Sequence, residues 1–208
     1  MPIICLFGPD GSGKSTLANM LARKFQDRNR NVKVSWMRGS HTVASVLAKL
    51  LSNSPTFRGD ENPYYDIKIP EKMRRLWQII EFMSALPVIL LRFVLPALLG
   101  RTVVCDRYVP DFVVWVALTT DDREYPSKPE ARFLLKLSTK CDYRVYVYAS
   151  QERLEEREKK DGTSLGSGQA ELYSSIAKSI GANKVDTTHE SPNESLRSIL
   201  DRIEGEIN

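Results

Sequence analysis

Nine residues near the N-terminus, Gly8-Pro9-Asp10-Gly11-Ser12-Gly13-Lys14-Ser15-Thr16, match the pattern GxxxxGK[ST]. Each part of that pattern answers a need of a bound polyphosphate. Glycines let the backbone curl so that successive N–H groups point inward at phosphate oxygens. A helix that starts where the loop ends adds the positive end of its dipole. Lys14 is expected to reach the β- and γ-phosphates, and the Ser15 hydroxyl to ligate Mg2+. The motif needs a strand before it and a helix after it. Ile3 to Phe7 is a short apolar run, and Lys14 to Arg28 carries Leu17, Met20, Leu21 and Phe25 at helical spacing. The segment therefore reads as a nucleoside-triphosphate site.

A second group with chemistry lies in Thr102-Val103-Val104-Cys105-Asp106-Arg107-Tyr108, where an acid and an arginine directly follow an apolar run. The planar fork of Arg107 suits a phosphate, because it binds two oxygens at once. Asp106 can hold Mg2+ through water or accept a proton. An Asp-Arg pair that merely caps a strand is the competing reading. Arg38 stands after another short apolar run, with a solvated loop arginine as its alternative. In Gln151 to Lys160, QERLEEREKK, Arg153 and Arg157 are four apart and share a helix face. Glu152, Glu155, Glu156 and Glu158 interleave with them, so a salt-bridged solvated helix competes with a phosphate-binding one. Tyr64, Tyr65, Tyr108, Phe112 and Trp115 either stack on a base or fill the core.

These residues need a frame, and the period of the pattern supplies one. Short runs at Ile3 to Phe7, Val32 to Trp36, Thr102 to Cys105 and Tyr143 to Tyr148, with Asn183 to Asp186 as a short fifth, predict five strands. Helical spacing covers Val43 to Leu51, Glu71 to Leu99, Pro129 to Ser138, Gln151 to Lys160, Gln169 to Ile180 and Asn193 to Ile207. Asp111 to Leu118 is apolar after its first residue and could be helix or strand; its position after a turn favours helix. A kink is expected near Pro87 and a break near Pro96. Ser52 to Pro70 reads as a long acceptor-side loop, and the Gly/Ser-rich Asp161 to Gly168 as part of a mobile lid over 151–168. Strands alternating with helices predict an α/β fold, a P-loop NTPase-type parallel five-stranded sheet with helices on both faces. Ligands of such sheets gather beyond the carboxyl ends of the strands. No linker divides the 208 residues, so a single P-loop domain is expected.

Composition narrows the field of functions. With 42% hydrophobic residues, the chain is no disordered tail. Thirty Lys+Arg against 26 Asp+Glu give +4, which suits an anionic ligand but is too little for a nucleic-acid binder. Cys5, Cys105 and Cys141 form no CxxC pair and no zinc pattern with His41 or His189. The start, MPIICLFG, has no basic region before its apolar run, so a cytoplasmic protein is expected. Leu76 to Leu99 looks membrane-like, but Glu81 and Arg92 interrupt it, leaving no charge-free run near the ~20 residues of a span. A long, mostly buried helix is expected there, with no membrane span. Asn183-Lys184-Val185-Asp186 formally matches the guanine signature NKxD. Without a switch threonine, the GTPase reading does not stand.

FGPDGSGKST, LPALLGRTVVCDRY and the stretch Val185-Asp186-Thr187-Thr188 with Glu194 to Leu200 together resemble the thymidylate kinase family of P-loop nucleoside-monophosphate kinases. With the order of elements, the resemblance spans nearly the whole chain. It implies that Gly8, Asp10, Gly11, Ser12, Gly13, Lys14, Ser15 and Thr16 bind ATP, and that Ser15 and Asp106 serve Mg2+. It implies that Asp10, Arg38, Arg107 and Tyr108 bind the acceptor, and that Lys14, Asp106, Arg107 and Arg157 act in catalysis. It implies that Val185 to Thr188 borders adenine, and that dTMP becomes dTDP. The chain departs from the family pattern at Phe7, at Leu86 and over Val109 to Trp115, where the family reads base and sugar. Two further readings stay open: a kinase of another small acceptor such as a deoxynucleoside, and a nucleotide-binding regulatory protein without turnover. A homodimer stays open as well.

Overall fold

The expected strands form as β1 (Ile3–Phe7), β2 (Val32–Trp36), β3 (Thr102–Asp106), β4 (Tyr143–Tyr148) and β5 (Asn183–Asp186). They make one five-stranded sheet in the order β2-β3-β1-β4-β5, with every neighbour parallel. Parallel neighbours need crossovers, and helices supply them. In chain order these are α1 (Lys14–Asp27), α2 (Val43–Leu51), α3 (Arg74–Ile89), α4 (Leu95–Leu98), α5 (Val109–Thr119), α6 (Pro129–Ser138), α7 (Gln151–Asp161), α8 (Gln169–Ser179) and α9 (Pro192–Gly205). The computed structural model describes residues 2–37, 43–59, 67–161 and 169–205.

Successive side chains of a strand face opposite ways, so β1, apolar at every position, must be covered on both sides. Ile4 and Leu6 pack with Leu17, Leu21 and Phe25 of α1 and with Ile199 and Ile203 of α9. Cys5 and Phe7 point into the other layer, with Phe112 and Val113 of α5, Leu134 of α6 and Tyr173 of α8. A ladder of rings lines that layer: Phe7 stacks on Tyr146 at 5.6 Å, and Tyr146 on Tyr148 at 5.4 Å and Tyr173 at 6.5 Å. All three cysteines are buried and free.

Register sets where the site forms. Leu6 lies opposite Asp106, Phe7 opposite Tyr146, Trp36 opposite Asp106, and Tyr148 opposite Asp186. The chain therefore leaves all five strands along one edge, at Gly8, Met37, Arg107, Ala149 and Thr187. This is the edge where parallel sheets collect ligands.

The long apolar stretch differs from its sequence reading in two ways. First, there is no break near Pro96. α3 runs through Pro87 into a widened π turn, Leu90–Val94, and on into α4. Proline lacks an N–H and crowds the carbonyl four residues back, here that of Arg92. Ser35 donates its hydroxyl to that carbonyl at 2.7 Å, and Arg92 donates back to the Trp36 carbonyl at 3.1 Å. Second, the stretch is not mostly buried. Ala85, Ile89 and Phe93 pack inward, but Leu76, Met83, Leu90, Leu91, Leu98 and Leu99 are each more than half exposed. The helix Glu71–Leu98, 28 residues with a mean hydropathy of 1.9 in its most apolar window, is long and apolar enough to cross a membrane. Within that window 33% is buried against the rest of the fold.

Between α2 and α3 the expected loop contains a 3-10 turn at Pro55–Phe57 and an antiparallel bridge from Arg58 to Ile67. Tyr64 and Tyr65 lie outside the described residues.

Candidate functional site

Gly8 begins the loop beside β4. A Cβ on Gly8 would sit 2.0 Å from the carbonyl oxygen of Val147, so no other residue fits without moving the sheet. Gly13 precedes α1 with φ of 88°, in the left-handed region that favours glycine. Between them the loop folds back on itself. Lys14 is 3% exposed, and its ammonium donates to the Pro9 carbonyl at 2.5 Å and the Ser12 hydroxyl at 3.3 Å. Burial, with the nearby Arg107 charge, pulls the Lys14 pKa down to about 8. Asp111, Asp10 and Asp106 pull the other way.

A cavity of about 420 Å3 opens over this loop. Gly11 to Leu17 form its floor, Arg107 and Arg157 face it, and Thr187, Glu190, Pro192 and Ser195 border it. It therefore gathers the phosphate loop, the arginine after β3 and the segment after β5.

Arg107 follows Asp106, the last residue of β3, and adopts a positive φ of 74°. Its N–H donates to the Leu6 carbonyl at 3.1 Å, which ties the turn to β1. Its guanidinium bonds the Asp10 carboxylate and lies 3.6 Å from Asp111 Oδ1. Asp111 is buried in the first turn of α5. Its Oδ2 accepts the Tyr108 N–H at 3.1 Å, and its Oδ1 accepts the Tyr173 hydroxyl at 3.1 Å. Burial opposes the charge on Arg107, but Asp111 and Asp10 outweigh it and hold the guanidinium pKa above its ordinary value. Burial raises the Asp111 pKa, while Arg107 and Lys14 restrain the rise. Asp106 Oδ1 is buried and has no hydrogen-bond partner among the described residues.

Arg157 reaches the cavity from α7. It donates to the Gly11 carbonyl at 2.8 Å, the Thr187 carbonyl at 3.0 Å and the Thr187 hydroxyl at 3.4 Å. Burial and then the neighbouring Arg153 charge lower its pKa. Arg153, on the same face by spacing, is instead exposed and paired with Glu156 at 2.8 Å. The two arginines thus divide the alternatives between them, one inward at the cavity and one in a solvated ion pair. Thr187 Oγ1 also lies 3.0 Å from the Ser12 carbonyl, so the segment after β5 touches the phosphate loop directly.

The structure redistributes several expected site residues. Tyr108 is 2% exposed, and its ring packs on Phe93 at 4.6 Å between centroids. Its side chain belongs to the core, and its contribution near the cavity is a backbone N–H. Phe112 and Trp115 are buried with it. Arg38 and the Gly162, Gly166 and Gly168 of the expected lid lie outside the described residues. The sequence reading gave no role to Asp111, Tyr173 or Glu190. Asp111 had a local signal, an acid in the first turn of a helix. Tyr173 had none, since it meets Asp111 across 62 residues of chain.

No family model and no curated protein matches the chain. Among solved structures the chain is similar to thymidylate kinase from Ehrlichia chaffeensis, with a TM-score of 0.60 over 98% of both chains and 13% identity. That likeness establishes the fold, and it agrees with the resemblance read from the sequence motifs.

Proposed function

We propose that the protein is an ATP-dependent kinase of a nucleoside monophosphate, with dTMP as the leading acceptor. The observation that carries this reading is the shared cavity. Lys14 and the loop amides occupy one side, and the guanidinium of Arg107 faces the same space. In this proposal the loop from Gly8 to Thr16 holds the ATP phosphates, and Thr187 with its neighbours borders the adenine. Arg107 holds the acceptor phosphate, Asp10 binds the acceptor from beside the Arg107 fork that it contacts, and Arg38 adds a second cation. The acceptor oxygen attacks the γ-phosphorus in line, the bond to the β-phosphate oxygen breaks, and ADP leaves. Lys14, Arg107 and Arg157 balance the charge that spreads over the transferring group.

Mg2+ fits the residues present. Asp106 offers a buried oxygen without a partner among the described residues, and the Ser15 hydroxyl lines the cavity. The described residues hold no cluster of three or more His, Cys, Asp or Glu side chains. That suits an ion which keeps its waters and binds through one carboxylate and the substrate phosphates. Bound there, Mg2+ would neutralise charge on the β- and γ-phosphates.

A second reading has its own support. Arg107 already contacts two carboxylates, Asp10 and Asp111, so its fork is partly satisfied before any acceptor arrives. A neutral acceptor such as a deoxynucleoside would ask less of it. The test is ADP release with ATP and a panel of monophosphates and nucleosides. Release with a monophosphate supports the first reading, and release with a nucleoside alone supports the second. ATP binding without acceptor-dependent release would replace both with a regulatory role.

The same reading makes the partner a small nucleotide rather than nucleic acid or a membrane, and the setting cytoplasmic, consistent with three free buried thiols. A homodimer is the proposed cover for the exposed leucines of the long helix, whose apolar stripe exceeds the scattered exposure of an ordinary monomer.

A further inference from the structure

We propose that Asp111 and Tyr173 are positioning residues that hold the Arg107 guanidinium aimed into the cavity, and so set the affinity for the acceptor phosphate. The inference rests on the acceptor role given to Arg107 above.

Three observations carry it. Arg107 sits in a left-handed backbone conformation, which a non-glycine residue keeps only when its surroundings hold it there. Its fork is divided between two carboxylates from different elements. Asp10 belongs to the phosphate loop, and its side chain is 11% exposed, whereas the Asp111 side chain is 1% exposed. Finally, Asp111 cannot turn away. One of its oxygens is fixed by the Tyr108 N–H and the other by the Tyr173 hydroxyl. The Tyr173 ring is itself held by stacking on Tyr146. A continuous set of contacts thus runs from the core through Tyr146, Tyr173 and Asp111 to the Arg107 fork.

Asp111 also has a simpler use, as a capping acid at the start of α5. That use needs only the oxygen facing Tyr108, and a neutral amide would serve it. The remaining oxygen faces Tyr173 and Arg107. A buried carboxylate is tolerated when a cation stands beside it, so the charge of Asp111 and that of Arg107 require each other. The Tyr173 hydroxyl takes no part in capping, which makes Tyr173→Phe the cleaner probe.

Two arms test the clamp. The first needs no substrate: 15N NMR of guanidinium groups in arginine-labelled protein, with Arg107→Lys to assign the signal. Slow Nη rotation at Arg107 in the wild type, faster in Tyr173→Phe and Asp111→Asn, is expected. The second arm measures the KM for dTMP and, separately, ATP binding. Tyr173→Phe should raise the acceptor KM roughly three- to tenfold, and Asp111→Asn more than about tenfold, with ATP affinity within about twofold. Adding Tyr173→Phe to Arg107→Lys should cost nothing further, because the first residue acts through the second.

Additive losses in the double variant would overturn the proposal. So would equal losses of ATP and acceptor affinity, or Nη rotation that ignores both substitutions. Should the wild type turn over no monophosphate, the kinase reading fails, and the rotation arm alone decides the clamp. Should Asp111→Asn fail to fold, Tyr173→Phe carries both arms.

Discussion

The two sides of the cavity, proposed above for donor and acceptor, are built by different means. On the donor side, a single run from Gly8 to Thr16 presents backbone amides, and its one cation, Lys14, comes from the same run. Arg157 and Thr187 reach it from other elements, through bonds to the Gly11 and Ser12 carbonyls. On the acceptor side no run of sequence suffices. Arg107 follows β3, Asp10 belongs to the loop, Asp111 opens α5, and Tyr173 lies in α8. Backbone recognition needs a curl and tolerates little else. Side-chain recognition needs distant residues to agree on the place of one guanidinium. A donor site of this kind can persist while the acceptor site drifts, and the departures at Phe7, Leu86 and Val109 to Trp115 all fall outside the loop.

Substitutions that separate the two sides put this contrast at risk. The largest effect is expected for Lys14→Ala, which should lower turnover at least about a hundredfold with the fold intact by circular dichroism. A residual rate above about a tenth of wild type would remove Lys14 from the chemistry. Arg157→Ala comes next, with a fall in kcat of roughly ten- to a hundredfold and a small change in ATP affinity. If ATP affinity falls instead and kcat holds, Arg157 is only a brace of the loop. Arg107→Lys keeps the charge and loses the planar fork, so the acceptor KM should rise about tenfold while ATP binding is unmoved. Loss of ATP binding there, with acceptor KM untouched, would exchange the two sides.

The smallest effect is a matter of protons. Lys14 titrates near pH 8 in the free protein, below the ordinary lysine value, so it loses its proton as pH rises through that point. ATP favours the protonated form. Affinity measured by calorimetry should fall about fourfold between pH 7 and 8.5, with proton uptake on binding at the upper end. A flat profile in wild type, or the same slope in Lys14→Ala, would assign the titration elsewhere.

Much of the frame was legible because it is local. The short strands and the phosphate loop each follow from residues within one segment, and the parallel sheet follows from the alternation of strands with helices; the strand order itself was not legible. The failures share a cause, which is distance along the chain. Pro96 reads as a break until Ser35, 57 residues before Arg92, supplies the missing donor. Tyr108 directly follows Asp106 and Arg107, yet its ring turns into the core, where it packs on Phe93. The leucines after Leu76 read as buried because apolar periodicity cannot say whether a neighbour exists on the second face. Arg153 and Arg157 were indistinguishable by spacing. Only the position of Gly11 and Thr187 turns one of them inward.

The ring ladder of the sheet has a practical side. Tyr146 lies between Phe7, at the foot of the phosphate loop, and Tyr173, whose hydroxyl meets the carboxylate beside Arg107. Stacked phenols fixed in a chiral core absorb circularly polarised near-ultraviolet light unequally, and that signal depends on their mutual orientation. The protein therefore carries an unlabelled optical reporter that touches both substrate sides. Filling either side should leave its own trace in the near-ultraviolet spectrum, readable in a cuvette without following turnover.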